Sequence, residues 1–150
     1  MSPLNIPANW RQKEYLNLPI HDFEKVIDHA LENGYSVAWD GNADEPNFDY
    51  RKGLVMLTDK QEKEEITQEM RQAHFENGMT TDDHNMHIIG KAKDKSGNDF
   101  YNLKNSEGDN DMNGYIFMLK KALLLKTFSV MMHKNGITEE VKLKMVSKQK

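Results

Sequence analysis

A predicted β-hairpin in the second half of the chain constrains the fold most. Residues 85–92 and 99–105 have strand character, and the polar segment 93–98 between them contains glycine and other turn-forming residues. Antiparallel pairing about this turn brings the two open ends of the hairpin together. His84 begins the first strand and Asn105 ends the second, so we expect their Cβ atoms to lie roughly 5 to 8 Å apart.

These two residues have complementary chemistry. A carboxamide beside an imidazole can accept the N–H of one ring nitrogen, which fixes the tautomer and leaves the other nitrogen to face a nucleophile. A histidine held by an asparagine is the base side of a Cys-His-Asn site. The chain has no cysteine, however, so the sequence lacks the nucleophile. On spacing alone, a structural histidine and an ordinary Asn-Ser-x-Gly turn are the simpler interpretation.

The composition predicts a single soluble domain. A length of 150 residues with 37% apolar residues suits a modest core. The net charge of -4 argues against nucleic acid and against an anionic membrane surface as partners. The sequence has no apolar run of about eighteen residues. Residues 1–10 lack the pattern of a signal peptide, which favours a cytoplasmic location.

The first half of the chain predicts mainly helices. Residues 1–19 contain three prolines and are expected to form an extended entry segment. Helical spacing of apolar residues predicts an amphipathic helix over 21–33, and a strand over 35–39 follows. A capping box of Thr58 and Gln61 predicts a polar helix over roughly 60–76. Its thin apolar stripe consists of Ile66, Met70, Ala73 and Phe75.

The second half predicts mainly strands. Beyond the hairpin, residues 114–119 and 127–132 are strand candidates, while 120–126 is ambiguous and includes a possible turn of helix. We expect a folded unit over 20–137, with an α+β fold in which one or two helices pack on an antiparallel, partly closed sheet. Residues 138–150 form a basic tail with Val141, Leu143 and Met145 as possible anchors.

Two further patterns are weak metal-site candidates. The segment 109–114 matches the opening of a calcium loop, but Lys120 stands at the twelfth position, where a bidentate glutamate is needed. His84 and His87 lie three residues apart on a predicted strand and therefore point to opposite faces. Without any cysteine, a zinc site is not expected. We therefore expect neither a metal nor another cofactor.

Several sequence blocks occur in the order found in a known family. From about Asn17 to Met145, the chain resembles the C-terminal half of papain-like cysteine peptidases, in the bleomycin hydrolase/aminopeptidase C branch. The blocks are Asn17-Leu18-Pro19, the strand 35–39, Asp83-His84-Asn85-Met86 with Gly90 six residues after the histidine, Asn105-Ser106-Glu107-Gly108, Gly114-Tyr115 and the segment 127–134.

The resemblance implies a role for each residue of the pair. His84 resembles the catalytic base and Asn105 its orienting partner, on a β-barrel half-domain that forms one wall of a cleft. The nucleophilic cysteine and the oxyanion-hole glutamine of the family belong to a preceding half that this chain does not contain. Glu107 stands where the family has a tryptophan that covers the His–Asn contact, so the contact is expected to be more solvated here.

Two functional hypotheses follow. The first is the base-bearing half of such a peptidase, which needs an N-terminal peptidase half as its partner and does not hydrolyse peptides alone. The second is a non-catalytic module of the same descent that binds a peptide or a protein. In this second hypothesis, half of a two-domain interface leaves an apolar surface exposed, so a homo-oligomer is expected.

Overall fold

The computed structural model of the chain describes residues 15–44 and 46–147 and contains a seven-stranded sheet. Residues 1–14 of the predicted entry segment lie outside the described part, and 15–19 contain neither helix nor strand. A short 3₁₀ helix, Lys134–Gly136, precedes the last helix. The other elements are α1 (Ile20–Glu32), β1 (Val37–Gly41), β2 (Phe48–Asp49), β3 (Leu54–Val55), α2 (Asp59–Lys63), α3 (Gln68–Glu76), β4 (His84–Lys93), β5 (Asp99–Lys104), β6 (Tyr115–Leu119), α4 (Lys120–Lys126), β7 (Thr127–Met132) and α5 (Glu139–Ser147).

The strands form one open sheet in the order β2-β3-β6-β5-β4-β1-β7. The predicted α+β class and the mainly antiparallel sheet are confirmed. One pair differs from the expectation, because β3 and β6 run parallel. Parallel pairing requires a long connection, and here α2, α3, β4 and β5 intervene between the two strands.

The amphipathic helix predicted over 21–33 is α1, which packs its apolar side against the core. Its polar side is fixed by a charged network. The Tyr101 hydroxyl donates to Asp28 Oδ1 at 2.8 Å. Lys120 Nζ lies 2.8 Å from both Asp28 Oδ2 and Glu24 Oε1. This network connects α1 with β5 and α4 across the core.

The prediction of one continuous polar helix over 60–76 is wrong. The capping box of Thr58 and Gln61 is present, but α2 ends at Lys63 and α3 begins at Gln68. The break places Ile66 in the core, while Ala73, predicted to lie on the apolar stripe, is exposed. Lys121 Nζ donates to the carbonyls of Glu62 and Glu64, which satisfies oxygens where α2 ends.

Two segments of the second half are helical, namely the ambiguous segment 120–126 and part of the predicted basic tail. Residues 122–126 are all buried in α4; four of them are apolar, and the fifth, Lys126, donates from Nζ to Met79 O at 2.8 Å. The basic tail contains α5, and only one of its three proposed anchors lies in the core. Val141 is buried, whereas Leu143 is 70% and Met145 41% exposed. Residues two apart on a helix point about 200° away from each other, so Val141 and Leu143 cannot share a face.

Among the described residues, none of the helices has the length and apolar character needed to span a bilayer.

Candidate functional site

The hairpin of β4 and β5 brings the predicted pair together. Ile88 lies opposite Leu103, and His87 lies opposite Lys104. Continuing this register places Asn105 diagonally across from His84, and both side chains follow the inward-facing rows of their strands. The distance between His84 Nε2 and Asn105 Oδ1 is 2.8 Å. The two groups therefore form a hydrogen bond at one end of the hairpin.

A second hydrogen bond sets the direction of the Asn105 amide. The backbone N–H of Ser106 donates to Asn105 Oδ1 at 2.9 Å. Because this oxygen can only accept, the neutral imidazole of His84 must carry its proton on Nε2. The lone pair then lies on Nδ1, which makes no hydrogen bond to the described residues. Asn105 is 5% exposed, so the amide that holds the ring is itself held in place.

The loop after Asn105 is tied back to the next strand. Asn105 N donates to Gly114 O at 2.9 Å. The buried Asn110 side chain accepts from the N–H groups of Met112, at 3.1 Å, and Gly114, at 2.6 Å. Gly114 has a φ of +80°, and a Cβ there would lie 2.3 Å from the Glu107 carbonyl oxygen. Only glycine fits this position, and the loop presents Asn105 on a fixed backbone.

Several side-chain oxygens of the candidate calcium loop already have partners within the protein. The Tyr50 hydroxyl donates to Asp109 Oδ1 at 2.5 Å, and this bond raises the pKa of Tyr50 to about 12. Asp111 Oδ2 lies 3.7 Å from Arg51 Nε. Within the ranges that the structure describes, no three His, Asp or Glu side chains are grouped to hold a metal ion.

The remaining residues of the motif lie at the surface. Glu107 is exposed, so its carboxylate does not cover the His–Asn contact as a packed ring would. His84 is half-buried, whereas His87 is exposed on the opposite face of β4. Two cavities of about 470 and 720 Å³ lie elsewhere, and neither includes His84 or Asn105 among its lining residues.

Sequence reasoning missed the packing beneath His84. Gly41 pairs with His84 across β1 and β4. A Cβ on Gly41 would lie 2.4 Å from Lys126 O and 2.5 Å from the indole of Trp39. Trp39 is completely buried, and its Nε1 donates to Thr127 Oγ1 at 2.8 Å. The residues 39–41 are visible in the sequence, but their packing depends on strand pairing across distant segments.

Comparison with known proteins identifies the family. The model of the Peptidase C1-like family matches residues 5–150. The chain belongs to the peptidase C1-like family. This membership confirms the resemblance to papain-like peptidases that the ordered motifs indicated. No curated protein matches the sequence.

A solved structure similar to this member of the peptidase C1-like family is PepW from Lactobacillus rhamnosis. It has a TM-score of 0.68 and 18% sequence identity, over 89% of the present chain. At that identity the likeness shows a shared fold. The present chain spans 31% of the PepW chain.

Proposed function

We propose that this chain is the base-bearing half of a bleomycin hydrolase/aminopeptidase C-like cysteine peptidase. The observation that carries the proposal is the 2.8 Å contact between His84 Nε2 and Asn105 Oδ1, with the amide direction fixed by Ser106. This arrangement leaves His84 Nδ1 as the basic nitrogen. Family membership over residues 5–150 supports the same assignment.

The chemistry of the half-site follows from this geometry. His84 Nδ1 would accept the proton of a cysteine thiol, which gives a thiolate and an imidazolium ion. The imidazolium keeps its Nε2–H on Asn105 and can later protonate the leaving amine of a peptide substrate through Nδ1. The thiol must come from another polypeptide segment, because none of the 150 residues is cysteine. The same segment must supply an oxyanion hole.

The purified chain should therefore be inactive alone. We expect no turnover of aminoacyl fluorogenic substrates above the buffer rate, because neither nucleophile nor oxyanion hole is supplied. Turnover by the pure chain that disappears in His84→Ala would refute this expectation.

A complementation experiment tests the positive half of the proposal. The genomic sequence upstream is first searched for a segment that encodes a Gln-x-x-x-x-x-Cys block. Joined to or co-expressed with this chain, that segment should give cysteine-dependent peptidase activity. His84→Ala should lower kcat/KM by about 10²–10⁴-fold, the usual contribution of a general base. Asn105→Ala should cause a smaller loss, and His87→Ala, on the opposite face, should cause none. Equal activity in His84→Ala and His87→Ala would refute the assignment.

A second candidate function is a non-catalytic module that binds a peptide at the same cleft wall. The exposed carboxylate of Glu107 beside Asn105 favours it, since the covering ring of a working site is replaced by a charge. Under this hypothesis the reading frame has its own start and control signals. Peptide affinity should then decrease in Glu107→Gln, and a turnover rate should not emerge with any upstream segment.

A further inference from the structure

One buried amide holds the segment that leads into β4 against the end of β1. Asn42 is 5% exposed and lies directly after β1. Its Nδ2 donates to Thr81 Oγ1 at 3.0 Å and also to Asp83 Oδ2. Its backbone N–H donates to Lys126 O at 3.0 Å. Asn42 thus joins three segments that are distant in the sequence.

The Asp83 carboxylate receives the other bonds of this cluster. Its Oδ1 accepts from Ala43 N at 2.7 Å, and its Oδ2 accepts from the Thr81 hydroxyl at 2.8 Å. The backbone N–H of Asp83 donates to Gly41 O at 3.3 Å. Burial alone would raise the pKa of Asp83, but the hydrogen bonds from Ala43, Thr81 and Asn42 lower it below the ordinary value. The residue immediately before His84 is therefore charged and fixed at neutral pH.

The Asn42 side chain does not satisfy all of its own hydrogen-bonding groups. Its Oδ1 is buried and has no hydrogen-bond partner within the described ranges. A buried acceptor without a partner costs free energy that a leucine with the same number of side-chain heavy atoms would not. The other end of the same amide explains why the asparagine is present, because its Nδ2 donates to the Asp83 carboxylate.

From this geometry we infer that Asn42 is a positioning residue for His84, which it orients through Asp83. His84 receives its direction from both sides: Asn105 holds the ring at Nε2, and the clamp of Asn42, Thr81 and Asp83 holds the backbone from which the ring projects. The inference depends on the proposed function, in which the direction of His84 Nδ1 matters. Without the clamp, the imidazole would leave the Asn105 oxygen more often.

Imidazole NMR on the complete chain tests this inference. In the wild type, the long-range ¹H–¹⁵N spectrum should show His84 as the Nε2–H tautomer, with a slowly exchanging proton that is lost in Asn105→Ala. Asn42→Leu removes the donor and the unpaired acceptor and keeps the number and branching of the side-chain heavy atoms. We expect Nε2–H exchange to become about fivefold faster, the factor that corresponds to one net hydrogen bond, with a melting temperature close to wild type.

The controls separate this inference from the proposed function. Asn85→Leu makes the same substitution on the exposed face of β4, one residue after His84, and should leave the His84 signal unchanged. Thr81→Val should change Nε2–H exchange in the same direction as Asn42→Leu. It provides the test if Asn42→Leu does not fold. A wild-type spectrum without a protected Nε2–H would overturn the proposed function. A protected signal that survives Asn42→Leu or Thr81→Val unchanged would overturn the positioning role alone.

Discussion

Replacing Gly41 by alanine tests how tightly the end of β1 is packed. The added Cβ would lie 2.4 Å from Lys126 O and 2.5 Å from the nearest ring atom of Trp39. Ordinary contacts of a Cβ lie at 3.4–4 Å, so both neighbours would have to move by about 1 Å. The carbonyl accepts a hydrogen bond from Asn42, and the buried indole donates to Thr127. Neither group can therefore move without breaking a bond.

The cost of this substitution can be estimated from its two opposing terms. Overpacking a well-packed core typically costs about 1–3 kcal/mol. Alanine recovers about 0.4–1 kcal/mol by restricting the unfolded chain. Because the closest obstacle is a backbone oxygen and not the end of a flexible side chain, we take the upper part of the first range. The expected net loss for Gly41→Ala is about 2 kcal/mol, or a melting temperature lower by roughly 4–8 °C at this chain length.

Thermal and urea unfolding followed by circular dichroism measure this loss. Gly90→Ala in β4 is the matched control, because a Cβ on Gly90 meets no atom within 4 Å. We expect this control to unfold at or slightly above the wild-type temperature. Equal melting temperatures for Gly41→Ala and Gly90→Ala would show that the packing argument is wrong.

Three other predictions concern pH, the charged network and assembly. Burial and a hydrogen bond with Asp82 raise the pKa of Asp40 from 3.8 to about 6. The proton on Asp40 therefore contributes stability that is complete below pH 3.8 and is lost as the pH rises through about 6. Urea unfolding from pH 4 to 7 should show this slope, and Asp40→Asn should flatten it; an unchanged slope contradicts the assignment. Tyr101→Phe removes the hydrogen bond to Asp28 and should lower the free energy of unfolding by about 1–2 kcal/mol, because the acceptor is charged but retains its ion pair with Lys120. A loss below about 0.5 kcal/mol in urea unfolding would refute this. β7 lies at one edge of the sheet and exposes Met131, which is 74% exposed, and an edge strand can pair with another chain. We therefore expect self-association by light scattering that weakens in Met131→Ser; a monomer at high concentration would count against it.

The sequence predicted local elements well where periodicity and caps agree. The helix 21–33 differs from α1 by one residue at each end, and the hairpin strands begin and end within one residue of their predicted positions. Both segments have strong patterns of their own and well-marked ends. The contact between His84 and Asn105 follows from the hairpin register, which a short turn restricts.

The sequence did not predict features that depend on distant contacts. The break between α2 and α3 requires a core to receive Ile66 and an amine, from Lys121, to bond the exposed carbonyls. The parallel pairing of β3 with β6 joins segments about sixty residues apart, and neither segment carries a signal for it. For the same reason Asn42 gave no sign of its contact with Asp83, since only the pairing of β1 with β4 brings them together.

The placement of His84 and Asn105 on one hairpin also bears on the order of events during folding. Hairpins form in about 1–10 μs, far faster than two polypeptides associate at ordinary concentrations. If the proposed function holds and the nucleophile lies on a separate polypeptide, the imidazole would be aimed while this chain folds, before that polypeptide binds. The thiol would then meet an imidazole whose side-chain rotation is already restricted. The rate of site assembly would be set by association of the two parts and not by reorientation of the ring.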